Sequence, residues 1–479
     1  MRFNKGTTTG IIKRINTRVT SSNRAMLSRL QRILLIAVLG LTLSSCASLP
    51  DIRTFNEQPA DGSLAIKNRP ENARPSSILV SRLSHSRVDL HKLAALEDAA
   101  VTAPPIAGNK ITLLFDGPQT LNAMIKAIAN AKNNINFETY IFDQDALGMQ
   151  FANLLIEKQR AGIQVNIIYD SVGTIGTPTE FFDRMRSAGI KLVEFNPVNP
   201  LKRIGAWRLN NRDHRKILVV DGKIAFTGGV NISAAYANSS LFRSKKKTSG
   251  SVGWRDTHIQ IEGPAVAFLQ LSFMRSWAKQ GTEDLPDLQY FPTLGIAGDK
   301  VVRVVISRPR GEFILYKAYI QAFQNAKKTI HITTPYFAPD QQMVQVLIDA
   351  ARRGVEVSMI FPSVSDSGLA SQAGQSYYHQ LLAAGIKIYR LQVAILHAKT
   401  AVIDGNWSTV GSANLDIRSF LHNYEANVII MGDEFGSEME NAFDDDLSTS
   451  DEITAEAWDQ RSLTDRIKEW AARSLGYWL

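Results

Sequence analysis

The sequence predicts an α/β protein made of two similar lobes that are related by pseudo-twofold symmetry, with the functional site at their interface. Three observations support this fold class. The chain has 479 residues, which is too long for one ordinary core. From Ile111 onward, apolar runs alternate with helical patterns, as is typical of α/β folds. An internal repeat then divides this region into two halves.

The repeat extends over several segments in the same order. Each pair predicts the same local elements, such as a helix end followed by a buried strand, or a helix, a glycine turn and a strand. The pairs are residues 130–142 with 325–337, 154–170 with 346–362, and 188–196 with 384–392. We therefore expect two duplicated lobes that pack face to face.

A motif of the form H-x-K-x-x-x-x-D, followed six residues later by G-[GS]-x-N, occurs once in each half at a constant offset of 183 positions. Two copies with the same tail are not a plausible accident. The matching positions are His214, Lys216, Asp221, Gly228, Gly229 and Asn231 in the first half, and His397, Lys399, Asp404, Gly411, Ser412 and Asn414 in the second.

The apolar run inside each motif predicts a strand, on which alternate side chains share a face. His214 and Lys216 then face one ligand together, whereas Asp221 has the opposite parity and is expected to hold neighbouring structure. The same applies to His397, Lys399 and Asp404 in the second half, and all six motif residues are candidate catalytic residues. The glycine turn allows close approach of the backbone to a ligand.

Two such sets brought together suit a phosphodiester. The lysines, with Asn231, Asn414 and Ser412, are candidates to hold phosphate oxygens and stabilise developing negative charge. One histidine can attack phosphorus while the other protonates the departing oxygen. The symmetry of the motif leaves open which histidine has which role.

A histidine that acts in one tautomer usually has its second nitrogen held by a carboxylate. Asp256 and Glu425 each precede a strand-like pattern downstream of a motif and are candidates for this orienting role, the alternative being surface ion pairs. No Cys/His cluster or acidic trio predicts a metal, and no cofactor is expected, because lysine supplies the positive charge.

The N-terminal segment, residues 1–45, predicts a signal peptide. It carries eight basic and no acidic residues, and its apolar run Ile33–Leu43 is shorter than the about 20 residues of a membrane span. The run ends at Cys46, the only cysteine, in a sequence that resembles the lipobox of bacterial lipoproteins. A short buried helix with a free thiol is the alternative. Met26 is an alternative start, and residues 46–105 predict a tether.

The charge distribution argues against a nucleic-acid partner. The formal charge is +9, and without the eight basic residues of the leader it is +1. A near-neutral mature chain has no global electrostatic footprint for a polyanion. Two basic stretches, 200–212 and 241–250, are either contacts for anionic headgroups or solvated loops.

The end of the chain, Leu463–Leu479, predicts either an interfacial amphipathic helix or a helix that caps the second lobe.

The two motifs resemble the HKD motifs of the phospholipase D superfamily. Residues 334–339, 396–420 and 423–427 resemble those of bacterial cardiolipin synthases, and the similarity covers 106–460. The resemblance implies two phospholipase D-like lobes, 106–292 and 293–460. Residues 461–479 lie beyond it and are assigned to the C-terminal amphipathic helix. The resemblance also implies a metal-free reaction through a phosphohistidine, with His214 as nucleophile and His397 as acid and base.

The expected function is that of a membrane-anchored phosphatidyltransferase making cardiolipin from phosphatidylglycerol and a second phospholipid, with phosphatidylethanolamine as an alternative donor. Three alternatives are a phospholipase D that releases phosphatidic acid, a nucleic-acid phosphodiesterase and an inactive lipid-binding scaffold. Typical cardiolipin synthases begin with transmembrane helices, whereas this leader resembles that of a lipoprotein. By that resemblance, Ala47 after Cys46 favours the outer membrane, on the periplasmic face. The sequence leaves open whether a partner protein is needed.

Overall fold

The computed structural model describes residues 48–52, 96, 100, 102–203, 208–238, 253–280 and 283–475. The predicted signal peptide, Cys46, most of the predicted tether and the basic stretch 241–250 lie outside these ranges. Within the described ranges, no helix has the length and apolar character needed to cross a bilayer.

The elements from β1 to α4 form what we call the first lobe. In chain order they are β1 Ile106–Leu114, α1 Gly117–Ala129, β2 Asn134–Thr139, α2 Ala146–Arg160, β3 Gln164–Asp170, α3 Thr179–Ser187, β4 Lys191–Phe195, a 3-10 helix Pro200–Arg203, β5 Ile217–Val220, β6 Ile224–Gly228, a 3-10 helix Ala234–Tyr236, β7 Trp254–Arg255, β8 His258–Glu262 and α4 Val266–Gln280.

The elements from β9 to α12 form the second lobe. They are β9 Lys300–Ser307, α5 Ile314–Asn325, β10 Thr329–Thr333, β11 Phe337–Ala338, α6 Gln341–Arg352, β12 Glu356–Pro362, α7 Gly368–Gln375, α8 Tyr378–Ala383, β13 Lys387–Leu391, β14 Ile395–Leu396, β15 Thr400–Ile403, β16 Trp407–Gly411, β17 Leu415–Asp416, α9 Ile417–Leu421, β18 Glu425–Met431, α10 Asp433–Ser448, β19 Ser450–Ile453, α11 Ala455–Asp459 and α12 Leu463–Ser474.

Local sequence signals explain where helices α1 and α6 begin. Asp116 caps α1 by accepting a hydrogen bond from the Gln119 backbone N–H, and proline occupies the first turn of the helix. Asp340 caps α6 in the same way through the Met343 N–H. These caps fix the boundary between each helix and the segment before it, so the helical pattern read from the sequence begins where the chain places it.

The strands of both lobes follow one topology. Strands β2, β3 and β4 are parallel, while β5, β6 and β8 continue the sheet in antiparallel pairs. The second lobe repeats this arrangement with β10, β12 and β13 parallel and β15, β16 and β18 antiparallel. An antiparallel pairing of β1 with β9, interrupted by a register shift, joins the two into one 15-stranded sheet. The predicted duplicated α/β fold is confirmed.

A shared core holds the lobes together. Val219 and Ile261 of the first lobe belong to the same buried apolar cluster as Val304, Val428 and Val410 of the second. The lobes therefore pack face to face, as predicted, and are also joined edge to edge through β1 and β9. Each lobe has a further core of its own on the other side of its sheet. This double attachment fixes the relative position of the two motif histidines.

Candidate active site

Both motif histidines lie at the carboxyl edge of the parallel strands of their lobe. His214 precedes β5, which runs antiparallel to β2, and His397 precedes β15, which runs antiparallel to β10. The histidines and lysines thus stand just before the strands, whereas the sequence pattern predicted them within the strands. They still act as a unit, because Lys216 Nζ donates to the His214 carbonyl at 2.6 Å.

Each histidine backbone is anchored to the opposite lobe. The His214 N–H donates to the Tyr424 carbonyl at 3.0 Å, and the His397 N–H donates to the Arg255 carbonyl at 2.7 Å. The second contact extends a short parallel pairing of β14 with β7. In both cases the next residue along the opposite lobe is one of the two predicted orienting carboxylates. The backbone contacts therefore bring histidine and carboxylate into register.

The carboxylates pair with the histidines in a crossed arrangement. His214 Nδ1 lies 3.0 Å from Glu425 Oε1 and 3.1 Å from Oε2. His397 Nδ1 lies 2.7 Å from Asp256 Oδ2. Glu425 and Asp256 are fully buried. Because Nδ1 is engaged in each ring, Nε2 is the nitrogen that remains for chemistry.

The two lysines give the site a strong positive potential. Burial, followed by repulsion from Lys399, lowers the pKa of Lys216 to about 7. Burial also lowers the pKa of Lys399 to about 8. Burial, with repulsion from both lysines, holds the pKa of His397 well below its usual range. Such a group of buried cations favours an anionic ligand, since a negative charge relieves the repulsion among them.

The two orienting carboxylates differ in their own electrostatics. Burial raises the pKa of Asp256, and the neighbouring Lys399 only partly offsets that effect. Burial also opposes the charge of Glu425, but attraction by His214 and Lys216 outweighs it and lowers the Glu425 pKa. The imidazole of His214 therefore faces the more firmly ionised partner, and the halves of the site are not equivalent despite their symmetry.

The Gly229 and Ser412 positions account for part of this asymmetry. Ser412 Oγ donates to Glu425 Oε2 at 2.5 Å, so the hydroxyl is directed at the orienting carboxylate. At Gly229, an added Cβ would lie 2.0 Å from Asp256 Oδ1. The first lobe thus needs glycine here because its carboxylate occupies the space in which a side chain would begin. Ser412 was predicted as a phosphate ligand; in the structure its side chain is fully buried and its hydroxyl contacts Glu425.

The motif asparagines are also placed differently. Asn231 is buried, its Oδ1 accepts the Ile141 N–H at 3.1 Å, and its Nδ2 donates to the Tyr236 hydroxyl at 3.0 Å. Asn414 Oδ1 is buried without a hydrogen-bond partner. Of the two predicted phosphate-binding amides, Asn414 is therefore the one whose side-chain oxygen has no partner among the described residues. Asn231 supports the loop around Tyr236.

The motif aspartates do not reach the histidines. Asp221 stands at the far end of β5 with a positive φ of 55°, and its carboxylate accepts the backbone N–H groups of Lys132, Asn133 and Asn134. Asp404 has a φ of 53° and accepts the N–H groups of residues 327–329. Both therefore tie the start of a parallel strand to the motif strand, as their parity predicted, and neither lies where a phosphate would bind beside the histidines.

Three aromatic residues at the site were not predicted from the sequence. The Tyr140 ring meets His214 edge to face, with centroids 5.1 Å apart. The Tyr236 hydroxyl lies 3.2 Å from His397 Nδ1, and the Trp254 ring centroid lies 4.9 Å from that of His397. Trp254 could have been identified from the sequence, because it stands two residues before Asp256, one of the predicted orienting carboxylates. Tyr140 and Tyr236 carry no such signal, because only folding brings them to the histidines.

Comparison with known proteins relates most of the chain to one family. The family model described as "Cardiolipin synthase, PLD-like domain" matches residues 124–241 and 319–447. Cardiolipin synthase 1 of Bacillus anthracis is 37% identical over 369 residues, covering 74% of this chain and 70% of that protein. Cardiolipin synthase of Listeria monocytogenes is 35% identical over 390 residues, covering 81% and 78% respectively.

Among solved structures, a phosphatidylserine synthase of Haemophilus influenzae superposes with a TM-score of 0.59. The match covers 81% of this chain and all of that one at 13% sequence identity. At this identity the likeness concerns the fold alone. It agrees with the two-lobed arrangement described above.

Proposed function

The chain belongs to the family of PLD-like cardiolipin synthases, and from that premise we propose that it transfers a phosphatidyl group from one phospholipid to the headgroup hydroxyl of phosphatidylglycerol. The observation that carries the proposal is the pair of histidines whose Nδ1 atoms are held by carboxylates of the opposite lobe, beside two buried lysines. This arrangement leaves two Nε2 atoms and two cationic groups for one phosphodiester.

In the first step, His214 Nε2 attacks the phosphorus of the donor lipid. A P–N bond forms, the bond from phosphorus to the headgroup oxygen breaks, and His397 Nε2–H transfers its proton to that oxygen. Glu425 stabilises the positive charge that develops on the His214 ring. Lys216 and Lys399 stabilise the charge on the non-bridging oxygens, in a position from which water is largely excluded.

In the second step, the hydroxyl of an incoming phosphatidylglycerol replaces the departed headgroup. His397 Nε2 takes the hydroxyl proton, the oxygen bonds to phosphorus, and the P–N bond to His214 breaks. The product is cardiolipin, and His397 again carries the proton that it had at the start. With phosphatidylglycerol as donor the released alcohol is glycerol, and with phosphatidylethanolamine it is ethanolamine.

His397 must carry a proton on Nε2 to act as the general acid, so binding of the substrate has to change the charge state of its ring. In the unliganded chain, burial and then repulsion from the two lysines lower the His397 pKa, which disfavours the protonated ring. A bound phosphodiester offsets the lysine charges and thereby favours protonation of the ring, which general acid catalysis demands. Substrate binding and activation of the acid are therefore coupled through the same electrostatic field.

The test of the transfer reaction uses labelled phosphatidylglycerol presented in mixed micelles. We expect cardiolipin and one glycerol for each cardiolipin formed. Water at about 55 M competes with the acceptor alcohol for the intermediate. Transfer therefore requires that the alcohol is bound and oriented in a site that excludes water. Phosphatidic acid as the main product at every lipid composition would instead identify a phospholipase D.

The assignment of the histidines is tested by trapping the intermediate. His214→Ala is expected to abolish a covalent phosphatidyl-enzyme, and His397→Ala to slow both its formation and its breakdown, as each serves a different step. Peptide mass spectrometry under alkaline conditions, in which phosphohistidine survives, locates the adduct. His379→Ala is the control, because His379 is an exposed histidine paired with Asp459. An adduct on His397 would reverse the two roles.

For the cellular location, we propose that Cys46 is lipidated and holds the enzyme on the periplasmic face of a membrane, the outer membrane being favoured by Ala47. More than one acyl chain on the cysteine gives stable anchoring. Globomycin, which blocks signal peptidase II, should leave an unprocessed precursor, and Cys46→Ser should release the protein. Normal processing in the presence of the drug would contradict this proposal.

A further inference from the structure

We infer that α12 is a membrane-docking helix that rests against an anionic phospholipid bilayer beside the active-site edge of the second lobe. The inference rests on the proposed function, because it assumes that the substrates are lipids drawn from that bilayer. The inference goes beyond the proposed function because it assigns a role to a surface that takes no part in the chemistry.

One face of α12 is fixed to the protein. Ala472 and Glu469 are buried, and Glu469 pairs with Arg461 at 3.1 Å. The Arg473 guanidinium lies 4.5 Å from the centre of the Tyr377 ring. Ser462 caps the helix by accepting the Asp465 N–H at 3.1 Å. The helix is therefore a rigid part of the second lobe, in contact with α7, and not a free tail.

The opposite face of α12 is apolar and exposed. Leu463, Ile467 and Trp470 are 73%, 57% and 71% exposed, and their spacing of four and three residues places them on one stripe. In an ordinary surface helix such a stripe packs on the core and the polar side faces water. Here Glu469 and Ala472 face the core, and the large apolar residues point outward. A monomer in water gains nothing from that arrangement.

The position of this stripe connects it with the substrate. Helix α7, on which α12 packs, follows the loop that leaves β12 at Pro362, and that loop and helix carry the exposed Val364 and Leu369. The carboxyl end of β12 lies beside that of β10, next to His397, since the Thr334 N–H donates to the Ile360 carbonyl. The exposed apolar side chains therefore border the edge of the sheet where the site opens.

The first lobe has apolar side chains at the equivalent edge. Ile175 is exposed in the loop that follows β3, and the Asp170 carboxylate at the end of β3 accepts the Asp213 N–H beside His214. Leu201 is exposed on the 3-10 helix after β4. Exposed apolar side chains from separate elements of both lobes thus lie along the same edge of the sheet. This arrangement fits a planar lipid surface better than it fits one protein partner.

The charge of α12 identifies the kind of surface. Its exposed charged residues are three basic ones and one acidic one, namely Arg466, Lys468, Arg473 and Asp465. Basic side chains beside a tryptophan and aliphatic residues are typical of helices that lie in the headgroup region of anionic bilayers. Phosphatidylglycerol, the proposed acceptor, is such a lipid.

The direct test measures contact of Trp470 with acyl chains in the full-length chain. Vesicles of phosphatidylglycerol brominated on the acyl chains should quench part of the tryptophan fluorescence, and Trp470→Phe should remove that quenched part. Equal quenching in the wild-type chain and in Trp470→Phe would overturn the inference. This measurement does not depend on turnover or on whether the leader also binds the vesicle.

The functional test compares two matched isoleucines. Ile467→Ser should lower cardiolipin formation on vesicles by roughly tenfold, the loss expected for one large apolar side chain no longer removed from water. It should leave the rate in detergent micelles unchanged. Ile296→Ser is the control, because Ile296 is 86% exposed and contacts Gly108, at the end of the sheet far from the histidines.

Each outcome has one meaning. Equal vesicle rates for Ile467→Ser and Ile296→Ser would contradict the docking role. Lipid-independent dimerisation that Ile467→Ser abolishes in sedimentation experiments would show that a second copy of the chain, and not a bilayer, covers the stripe. Absence of cardiolipin in both vesicles and micelles, with intact quenching at Trp470, would reject the proposed function while leaving the docking helix in place.

Discussion

His214 and Glu425 are hydrogen-bonded at 3.0 Å although 211 residues separate them in the chain, and they belong to different lobes. The same crossing relates His397 of the second lobe to Asp256 of the first. Each half of the duplicated sequence thus orients the histidine of the other half. Neither lobe forms a complete histidine–carboxylate pair alone, so the two halves are expected to act only as a joined body.

The first prediction concerns this crossed pairing. Glu425→Gln keeps the shape of the side chain but removes the charge that stabilises the His214 imidazolium, and it permits the wrong tautomer. We expect the rate of cardiolipin formation in micelles to fall by roughly 100- to 10,000-fold, as for other oriented histidines. Formation of the covalent intermediate should fall in parallel. The substitution lies in the second lobe, whereas the proposed nucleophile, His214, lies in the first.

Glu440→Gln is the matched control for that prediction. Glu440 contacts His331 Nδ1 at 2.6 Å in a partly buried pair that involves neither motif histidine. Loss of the Glu440 charge should leave the rate of cardiolipin formation in micelles close to that of the unmodified chain. A similar fall in both variants would mean that the effect of Glu425→Gln is a general loss of structure.

The second prediction concerns the Gly229 position. Gly229→Ser introduces the residue type found at position 412, but its Cβ would meet Asp256 Oδ1 at 2.0 Å and displace the carboxylate from His397. We expect a loss of activity comparable to that of Asp256→Asn. Gly176→Ser is the control, since a Cβ at Gly176 meets nothing within 4 Å. Full activity of Gly229→Ser would show that Asp256 does not need its observed position.

The third prediction concerns the pH dependence of phosphodiester binding. In the unliganded chain the pKa of Lys216 is lowered to about 7 and that of Lys399 to about 8, whereas binding requires both ammonium groups. Above these values each lysine must first take up a proton, at about 1.4 kcal/mol per pH unit and group. The affinity for a soluble phosphodiester, whose charge is constant in this range, should therefore fall as the pH rises from about 6 to about 9.

Calorimetry in buffers of different ionisation enthalpy measures this proton uptake directly. The number of protons taken up on binding should increase across the same pH range. The two lysines lose their protons in the unliganded chain but retain them when the phosphodiester is bound. Lys216→Arg should flatten the pH dependence, since a guanidinium remains charged throughout. An affinity that rises with pH would contradict the lowered pKa of the lysines.

The fourth prediction concerns the connection between the lobes. Arg255 of β7 pairs with Asp446 of α10 at 2.8 Å, and both side chains are at most 5% exposed. Arg255→Ala leaves a buried carboxylate without its partner, and we expect the free energy of unfolding to fall by about 3–5 kcal/mol. Lys110→Ala, which removes the exposed pair with Glu262, should lower it by about 0–1 kcal/mol. Urea denaturation compares the two, and equal midpoints would contradict the prediction.

Much of the site was predictable because its signals are local. The spacing of His214 and Lys216, and its return at His397 and Lys399, is visible in any reading of the chain. Asp256 and Glu425 were found because each stands at the start of a strand pattern downstream of a motif. The parity of Asp221 likewise separated it from the histidines, and the structure places it at the far end of β5.

The remaining features depend on contacts between distant segments. The sequence alone determined the duplicated α/β architecture and the motif residues, since periodicity, caps and spacing act over a few residues. Only the tertiary structure decided that each carboxylate serves the opposite histidine, that Tyr140 and Tyr236 reach the site, and that α12 turns its apolar stripe outward. The physical reason is that a pattern shows which side chain is apolar or charged, whereas the partner it meets is set by how the two lobes pack face to face and join at β1 and β9.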